Sequence, residues 1–328
     1  MVVSTIDGVP VAIVPFYVEN NLGRAVLGTT LQPFGRSNSF ESMVDTPVAV
    51  CRAGFETSVP VAVRAHLIRQ SRGWDVAALY SSPNVPPLVQ RAQSQPGLPN
   101  VVEVTRLCDE PLTVPLPGSW AEYRASLSKS MRDNVAYYPR KLSRERRSWT
   151  IRVARSPLDI GAATDLLINL HRMRSASGRG IPHRNHIATE PQAEFLRSWF
   201  RRAAERDQVA IFMVEVEGEI IAAQAFLESA GCLAVYYSGY DDRFYRYSPL
   251  TIITAEAIRR GIERHATRIE FPPTLTPWKS RWGAQKRHPV VEISLYSTRT
   301  SALARGFLRR LCFRALAAQI APVGPQPA

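Results

Sequence analysis

The stretch GCLAVYYSGYDDRFYRYSPLTIITAEAIRRGIERHATRIEF, residues 231–271, contains the signals that decide the fold. Residues 231–238 and 267–271 are apolar runs with the length and aromatic content of buried strands. Residues 249–264 between them carry apolar side chains at helical spacing, which predicts a helix with one face packed on a sheet. The order strand, loop, helix, strand predicts a βαβ unit with parallel strands.

The start of this helix is a candidate anion site. Ser248 is a good N-cap residue, and Pro249 suits the first helical position. Free backbone N–H groups and the helix dipole attract anions to such a terminus, here at the carboxyl end of a strand. The alternative is a plain capped helix that binds nothing.

The rest of the chain also alternates between strands and helices, which indicates the α/β class with a mixed sheet. Strand patterns occupy 9–18, 74–80, 112–116, 149–154, 209–217, 219–227 and 290–296, and helical patterns occupy 58–70, 119–147, 157–174, 190–206 and 301–320. Pro139 is expected to kink or end the helix in its basic segment. Asp7-Gly8 predicts a hairpin turn whose first strand is short or missing.

The length of 328 residues indicates two domains or one large one. No apolar run is long enough to span a membrane, and the N-terminus lacks the basic region of a signal peptide. We therefore predict a cytoplasmic protein. The four cysteines are widely spaced without a CxxC pair, so neither a zinc site nor a disulfide framework is indicated.

The net charge of +13 attracts anions such as nucleic acid, anionic lipid or a phosphorylated cofactor, although a basic surface can also serve solubility alone. The pattern at 301–320 is a basic amphipathic helix, which predicts either peripheral membrane contact or packing on the domain. His183 and His186 have metal-ligand spacing, but no carboxylate cluster accompanies them, and no metal is predicted.

Six motifs, taken in order, resemble one family. They are SLSKSMRDNVAYYPRKL (126–142), LHRMR (170–174), EGEIIAAQAF (217–226), YYSGYDDRFYRYSP (236–249), RIEF (268–271) and PWKSRWG (277–283). This series resembles the GNAT-type acyltransferases of the CelD/BcsL group, which carry a BioF2-like acetyltransferase domain and are related to the Fem aminoacyltransferases. The upstream half also resembles that family, whose additional residues before Asp7 imply a start further upstream.

The resemblance implies tandem GNAT-like domains in an enzyme that transfers an acyl group from acyl-CoA or acyl-carrier protein to an amine. The amine belongs to a small molecule, a sugar or a lipid precursor, and it attacks the thioester directly. The predicted segments are an N-terminal GNAT-like half (1–118), a basic helical connector (119–148), the acyltransferase domain (149–300) and a C-terminal helix and tail (301–328).

The resemblance also implies that the acyl-CoA lies between the splayed strands 231–238 and 267–271, with its pyrophosphate at the following helix. The implied cofactor contacts are Ser238, Gly239, Ser248, Pro249, Leu250 and Thr251. Two departures stand out. The family usually has a glycine where this chain has Leu250, and Pro272-Pro273 replaces a glycine after the second strand.

Amide formation from a thioester needs a deprotonated amine, a polarised carbonyl and a proton for the leaving thiolate. The candidate bases are Glu270 and His171. The alternative for Glu270 is a strand-end carboxylate paired with Lys279 or Arg281, and for His171 it is a structural role. Tyr240 is a candidate proton donor.

The remaining candidates would position a substrate. Asp241 would orient the amine, or else cap its own turn. Tyr237 is a candidate substrate contact, because strand alternation lets only one of Tyr236 and Tyr237 face the cleft. Lys279 would hold an acceptor phosphate or carboxylate and Trp282 would wall the pocket, or they are a surface cation and a core aromatic.

Three functions therefore compete. The first is the acyl-CoA-dependent N-acyltransferase. The second is a Fem-like transferase that uses aminoacyl-tRNA, which the basic charge favours. The third is a degenerate, non-catalytic binding protein, which Leu250 and the double proline favour.

Overall fold

The computed structural model describes residues 2–19, 29–33, 50–55, 58–70, 74–81, 101–108, 112–146, 148–177, 183–272, 276–286 and 290–297. The chain divides into two compact units. The second unit is Glu110–Arg287, and the first unit combines the preceding residues with the strand Val290–Ser297. The predicted helix at 301–320 lies outside the described residues.

The strands are β1 (Val2–Ile6), β2 (Val9–Val14), β3 (Phe16–Glu19), β4 (Thr30–Pro33), β5 (Val50–Cys51), β6 (Val76–Ser81), β7 (Val101–Cys108), β8 (Leu112–Pro115), β9 (Trp149–Ala154), β10 (Val209–Val216), β11 (Glu219–Ser229), β12 (Cys232–Tyr240), β13 (Arg268–Phe271), β14 (Gln285–Lys286) and β15 (Val290–Ser297). The helices are α1 (Ser58–Arg69), α2 (Trp120–Ser126), α3 (Lys129–Glu145), α4 (Pro157–Ala176), α5 (Glu190–Ala204), α6 (Pro249–Glu263) and α7 (Pro277–Arg281). Among the described helices, none is both long and apolar enough to cross a membrane.

The first unit contains two sheets, one ordered β1-β2-β5 and one ordered β3-β4-β6-β15-β7, in which β4 and β6 are the parallel pair. The β1–β2 hairpin turns at Asp7-Gly8, whose φ angles of 49° and 76° suit a two-residue hairpin loop. The predicted turn is therefore confirmed, and its first strand is present. Helix α1 packs Val59, Val63 and Leu67 into the apolar core of this unit.

The second unit is built on a seven-stranded sheet ordered β14-β8-β13-β12-β11-β10-β9. Strands β12 and β13 are parallel, and the other neighbours are antiparallel. Helices α4 and α5 pack on one face, while α2, α3 and α6 share an apolar core with the other face. This mixed-sheet architecture confirms the predicted α/β class, and each unit has its own mixed sheet, as tandem domains require.

The unit boundaries differ from the predicted segments. Strand β8, predicted to belong to the first half, pairs with β13 in the second unit. Strand β15, predicted inside the acyltransferase domain, lies between β6 and β7 in the first unit. The segment 119–148 is not a connector, because Tyr123, Met131 and Leu142 are buried in the core of the second unit.

Helix α3 runs through Pro139, so the prediction that the helix ends there is wrong, while a kink there remains a prediction. The break falls earlier, at Leu127-Ser128, where the Ser128 hydroxyl accepts a hydrogen bond from the Met131 N–H at 3.3 Å. The turn after the proline is anchored by tertiary contacts, since Leu142 is fully buried. These contacts outweigh the backbone hydrogen bond that proline removes.

Candidate active site

Strands β12 and β13 are paired only over their first residues. The register runs from Cys232 opposite Arg268 to Ala234 opposite Glu270. Beyond Ala234, β12 continues to Tyr240 and is paired, among the described strands, with β11 alone. Strand β13 therefore does not pair with β12 beyond Ala234, and we call the stretch of the β12 edge from Val235 to Tyr240 the opening.

A β-bulge follows the end of this pairing. The register between β11 and β12 shifts by one residue, so that Tyr236 and Tyr237 together face one position of β11. The Tyr236 ring lies 5.1 Å from Trp199, and the Tyr237 ring lies 5.5 Å from His171. Both tyrosines therefore face α4 and α5. The prediction that they occupy opposite faces is wrong, because the extra residue interrupts the alternation.

His171 joins three segments through its imidazole. Its Nε2 accepts a hydrogen bond from the His186 N–H at 3.2 Å, so the proton is on Nδ1, which donates to the Ser238 carbonyl at 2.9 Å. Burial lowers the pKa of His171 to about 4. The ring is therefore neutral with both nitrogens bonded to backbone. This arrangement is the structural alternative, since a general base needs a free lone pair facing the substrate.

Gly239 of β12 lies directly against the backbone of α4. A Cβ atom at this position would lie 2.2 Å from the backbone nitrogen of His171, so no larger residue fits. Gly239 was predicted to contact the cofactor, but its Cβ direction faces the helix.

Two carboxylates predicted at the site have protein partners. Glu270 accepts a hydrogen bond from Arg268 Nε at 2.9 Å, rather than from Lys279 or Arg281, and lies at the base of the opening. Asp241 accepts a hydrogen bond from the Arg243 N–H at 2.9 Å and caps the 3₁₀ helix Asp242–Tyr247. The hydrogen bonds from Arg243 lower the pKa of Asp241. Asp241 thus takes the turn-capping alternative.

The other face of β12 carries Ser238 and Tyr240. Gln224, the cross-strand partner of Ser238, accepts a hydrogen bond from Thr254 of α6 at 2.9 Å, so this face is turned to α6. Burial raises the pKa of Tyr240 above its ordinary value, while the charge of Arg174 opposes that rise. The hydroxyl therefore keeps its proton at neutral pH, as a donor to a leaving thiolate must.

Arg174 was missed by the sequence analysis, although it is the last residue of the LHRMR motif. Its Nη1 donates to Ser238 Oγ at 2.9 Å, and its guanidinium carbon lies 5.1 Å from the centroid of the Tyr240 ring. Because α4 packs on the opposite face of β12 from Ser238 and Tyr240, the Arg174 side chain reaches from one face of the strand to the other. The sequence feature that could have indicated Arg174 is its spacing, since it lies one helical turn after His171 and therefore on the same side of the helix.

The start of α6 offers fewer backbone N–H groups to an anion than predicted. Ser248 is left-handed, with φ 44° and ψ 56°, and its side chain makes no cap hydrogen bond within the described residues. Pro249 has no N–H, and the Thr251 N–H donates to the Ser248 carbonyl at 2.9 Å. Within the described chain, the first-turn N–H left for a ligand is that of Leu250. The predicted cofactor contacts here remain predictions.

The last two candidates lie around α7. Trp282 is fully buried in the core, and its carbonyl accepts a hydrogen bond from the Tyr123 hydroxyl at 2.9 Å. It is thus the core aromatic, not a pocket wall. Lys279 Nζ donates to the Pro272 carbonyl at 2.7 Å and ties α7 to the end of β13. Within the described residues, no group of three His, Cys, Asp or Glu side chains is placed to hold a metal ion.

Residues 129–280 match the acetyltransferase (GNAT) domain family. The protein contains a GNAT domain. The matched segment lies inside the second unit and includes α4, α6 and the strands β12 and β13. The predictions of a GNAT-type acyltransferase and of a transferase are therefore confirmed at the level of the domain, while the CelD/BcsL group remains a prediction.

Solved structures with a similar fold align over most of this chain. FemX aligns with a TM-score of 0.58 and 9% identity, over 89% of this chain and 86% of that chain. The C-terminal domain (DUF2156) of a putative lysylphosphatidylglycerol synthetase from Agrobacterium fabrum aligns at 0.54 and 10%, over 90% and 83%. L-PGS from Bacillus licheniformis aligns at 0.51 and 13%, over 93% and 86%. A search of curated protein sequences finds no significant match.

Proposed function

We propose that the protein is an N-acyltransferase that moves an acyl group from acyl-CoA, or from acyl-carrier protein, to an amine. The acceptor is a small molecule, a sugar or a lipid precursor. One observation carries the proposal: the pairing of β12 with β13 ends at Ala234 and Glu270 inside a domain that matches the acetyltransferase family. A thioester and its pantetheine arm would hydrogen-bond to the backbone of β12 along the stretch that β13 does not pair.

The reaction follows from the groups around the opening. The acceptor nitrogen attacks the thioester carbonyl, whose developing negative charge a backbone N–H of β12 stabilises. Glu270 accepts the proton that the nitrogen loses: it is bonded to Arg268 but keeps 31% of its side chain exposed, whereas the Asp241 side chain is only 5% exposed and both ring nitrogens of His171 are bonded to backbone. The carbon–sulfur bond then breaks, and Tyr240 donates its proton to the thiolate.

The test is a titration of the full chain with CoA, acetyl-CoA and long-chain acyl-CoA, followed by thermal unfolding and native mass spectrometry. We expect stabilisation by about 2.7 kcal/mol when the ligand is present at 100 times its dissociation constant. Glu270→Gln should keep this binding and lose turnover of an amine acceptor by a factor of about 100 or more.

Glu215→Gln is the matched control, because Glu215 pairs with the exposed Arg152 on β9, far along the sheet from β12. It should change neither binding nor turnover. The proposal is overturned if none of the acyl-CoA ligands stabilises the protein. If the ligands bind and Glu270→Gln has full activity, the assignment of the base is wrong.

Aminoacyl-tRNA is the second candidate donor. Two observations favour it: the fold shared with FemX and L-PGS over most of the chain, and the exposed basic residues Lys129, Arg140 and Arg144 on α3. The same titration with bulk tRNA discriminates the donors. A tRNA-dependent enzyme would bind with an affinity that falls steeply with salt, and RNase would abolish its activity.

A further inference from the structure

Arg174 is a partly buried cation, and its neighbours Ser238 and Tyr240 are neutral. Its guanidinium is bonded to Ser238 Oγ and lies over the Tyr240 ring, and it forms no ion pair with a carboxylate of the described chain. Other partly buried arginines of this unit do pair with acids: Arg155 with Glu228 at 2.6 Å and Arg197 with Asp165 at 2.7 Å. Arg174 therefore departs from the pattern of its own domain.

This environment opposes the charge but does not remove it. Burial lowers the pKa of Arg174 below its ordinary value, and the interactions with Tyr240 partly offset that effect. A guanidinium nevertheless stays protonated at neutral pH. A charge withdrawn from water without a partner destabilises the folded state, so such a group is retained where a ligand supplies the missing counter-charge.

A buried nitrogen without a hydrogen-bond partner in the described residues also lies near His171. The Nε2 atom of His183 is buried and has no hydrogen-bond partner within the described residues. Burial, followed by the charge of Arg174, lowers the pKa of His183 to about 3. The His183 ring is 4.9 Å from that of His171, which places it beside β12. A neutral imidazole at this point can donate one hydrogen bond from Nε2.

We propose that Arg174 and His183 form a binding site for an oxyanion carried by the acceptor substrate. The oxyanion is a carboxylate or a phosphate, since both offer the acceptor oxygens that a guanidinium fork binds. The site would hold the acceptor beside the edge of β12 to which the thioester binds. This inference rests on the proposed function and specifies the chemical class of its acceptor.

The experiment measures binding of acetate and of inorganic phosphate to the full chain, by isothermal titration at constant ionic strength set with chloride. Wild type should bind at least one of the two. Arg174→Gln should weaken that binding at least tenfold, and Arg174→Lys should have an intermediate effect, because lysine keeps the charge and loses the planar fork. Arg152→Gln removes the same charge from the exposed surface of β9 and should bind like wild type.

Stability separates a ligand site from a structural bond. Arg174→Gln should melt no lower than wild type, because it removes an unpaired buried charge. A clearly lower melting temperature would assign Arg174 to the scaffold and overturn the proposal, as would equal affinities of wild type and Arg174→Gln or no binding of either probe.

The outcomes also identify the source of the oxyanion. Binding of acetate alone indicates a carboxylate acceptor, and binding of phosphate alone indicates a phosphorylated acceptor. CoA binding should be unchanged in Arg174→Gln, which distinguishes this inference from the proposed function itself. If Arg174→Gln loses CoA affinity as strongly as it loses the probe, the oxyanion belongs to the donor and the assignment to the acceptor fails.

Discussion

His171 lies in a motif that resembles a family of enzymes, yet its hydrogen bonds give it a structural role rather than a catalytic one. A histidine in a predicted cleft is a reasonable candidate base from its type and position alone. Its role depends on the two hydrogen bonds of its ring, and these come from Ser238 and His186, which are distant in the sequence. We therefore assign His171 as a positioning residue that holds β12 against α4.

The state of His171 predicts a pH dependence of stability. The folded-state pKa of about 4 lies below the ordinary value of 6.5, so between these values the unfolded chain binds a proton that the folded chain does not. The stabilisation is complete above pH 6.5. It falls by at most about 1.4 kcal/mol per pH unit as the pH drops towards 4.

Urea unfolding of wild type and His171→Gln at pH 7.5, 6.5, 5.5 and 4.5 measures this effect as a difference between the two curves. The loss on acidification should be smaller in the variant. His265→Gln is the control, since His265 is exposed after α6 and should leave the wild-type dependence intact. An identical dependence in wild type and His171→Gln would contradict the assignment.

At the scale of elements, the close packing of α4 on β12 requires a glycine at position 239. Gly239→Ala places a methyl group 2.2 Å from the backbone of α4, so the helix must move, and we expect a loss of about 1–3 kcal/mol or more. Gly161→Ala is the matched control on the same helix. Apart from its chain neighbours and the backbone of its own helix, no atom of the described residues lies within 4 Å of its added Cβ, and the variant should gain roughly 0.5–1 kcal/mol from helix propensity.

Chemical denaturation of the two variants and of wild type tests whether Gly239→Ala lowers the free energy of unfolding while Gly161→Ala raises it. Equal and small effects would mean that α4 does not press on Gly239. Activity would add a second readout, because displacement of α4 also moves Arg174 and His171 relative to β12.

Periodicity and capping predicted most elements of the second unit, including the helices α4, α5 and α6 and the β10–β11 hairpin. These two signals gave wrong predictions where the local structure is irregular but no residue type in the sequence indicates the irregularity. Nothing in Tyr236-Tyr237 distinguishes a bulge from ordinary alternation. Ser248 has the residue type of a side-chain cap, but a preceding 3₁₀ helix turns it left-handed and leaves its hydroxyl unused.

At the scale of the whole molecule, the strands were predicted better than their partners. The patterns at 112–116 and 290–296 indicate strands, and both are present. Each strand pairs in the unit that sequence order does not suggest. The reason is that its partner is distant in the sequence, and the pattern of apolar residues within a strand does not indicate which strand it pairs with. The site shows the same limit: Arg174, Tyr240 and Ser238 meet through tertiary structure only.

The position of β15 predicts the effect of a truncation. A chain that ends after Arg287 lacks the strand that bonds both β6 and β7. We expect rapid hydrogen exchange and proteolysis within β6 and β7, while the second unit keeps its protection. A chain that ends after Ser297 is the control and should protect both. Slow exchange in β6 and β7 of the shorter chain would contradict the sheet order.

The same strand sets an order of events during synthesis. The ribosome completes Glu110–Arg287 before β15 emerges, so the catalytic unit can fold while the sheet of the first unit still lacks its inner strand. Domains usually mature in the order of translation. Here the N-terminal unit finishes last, and until then the edges of β6 and β7 are open to pairing with other nascent chains.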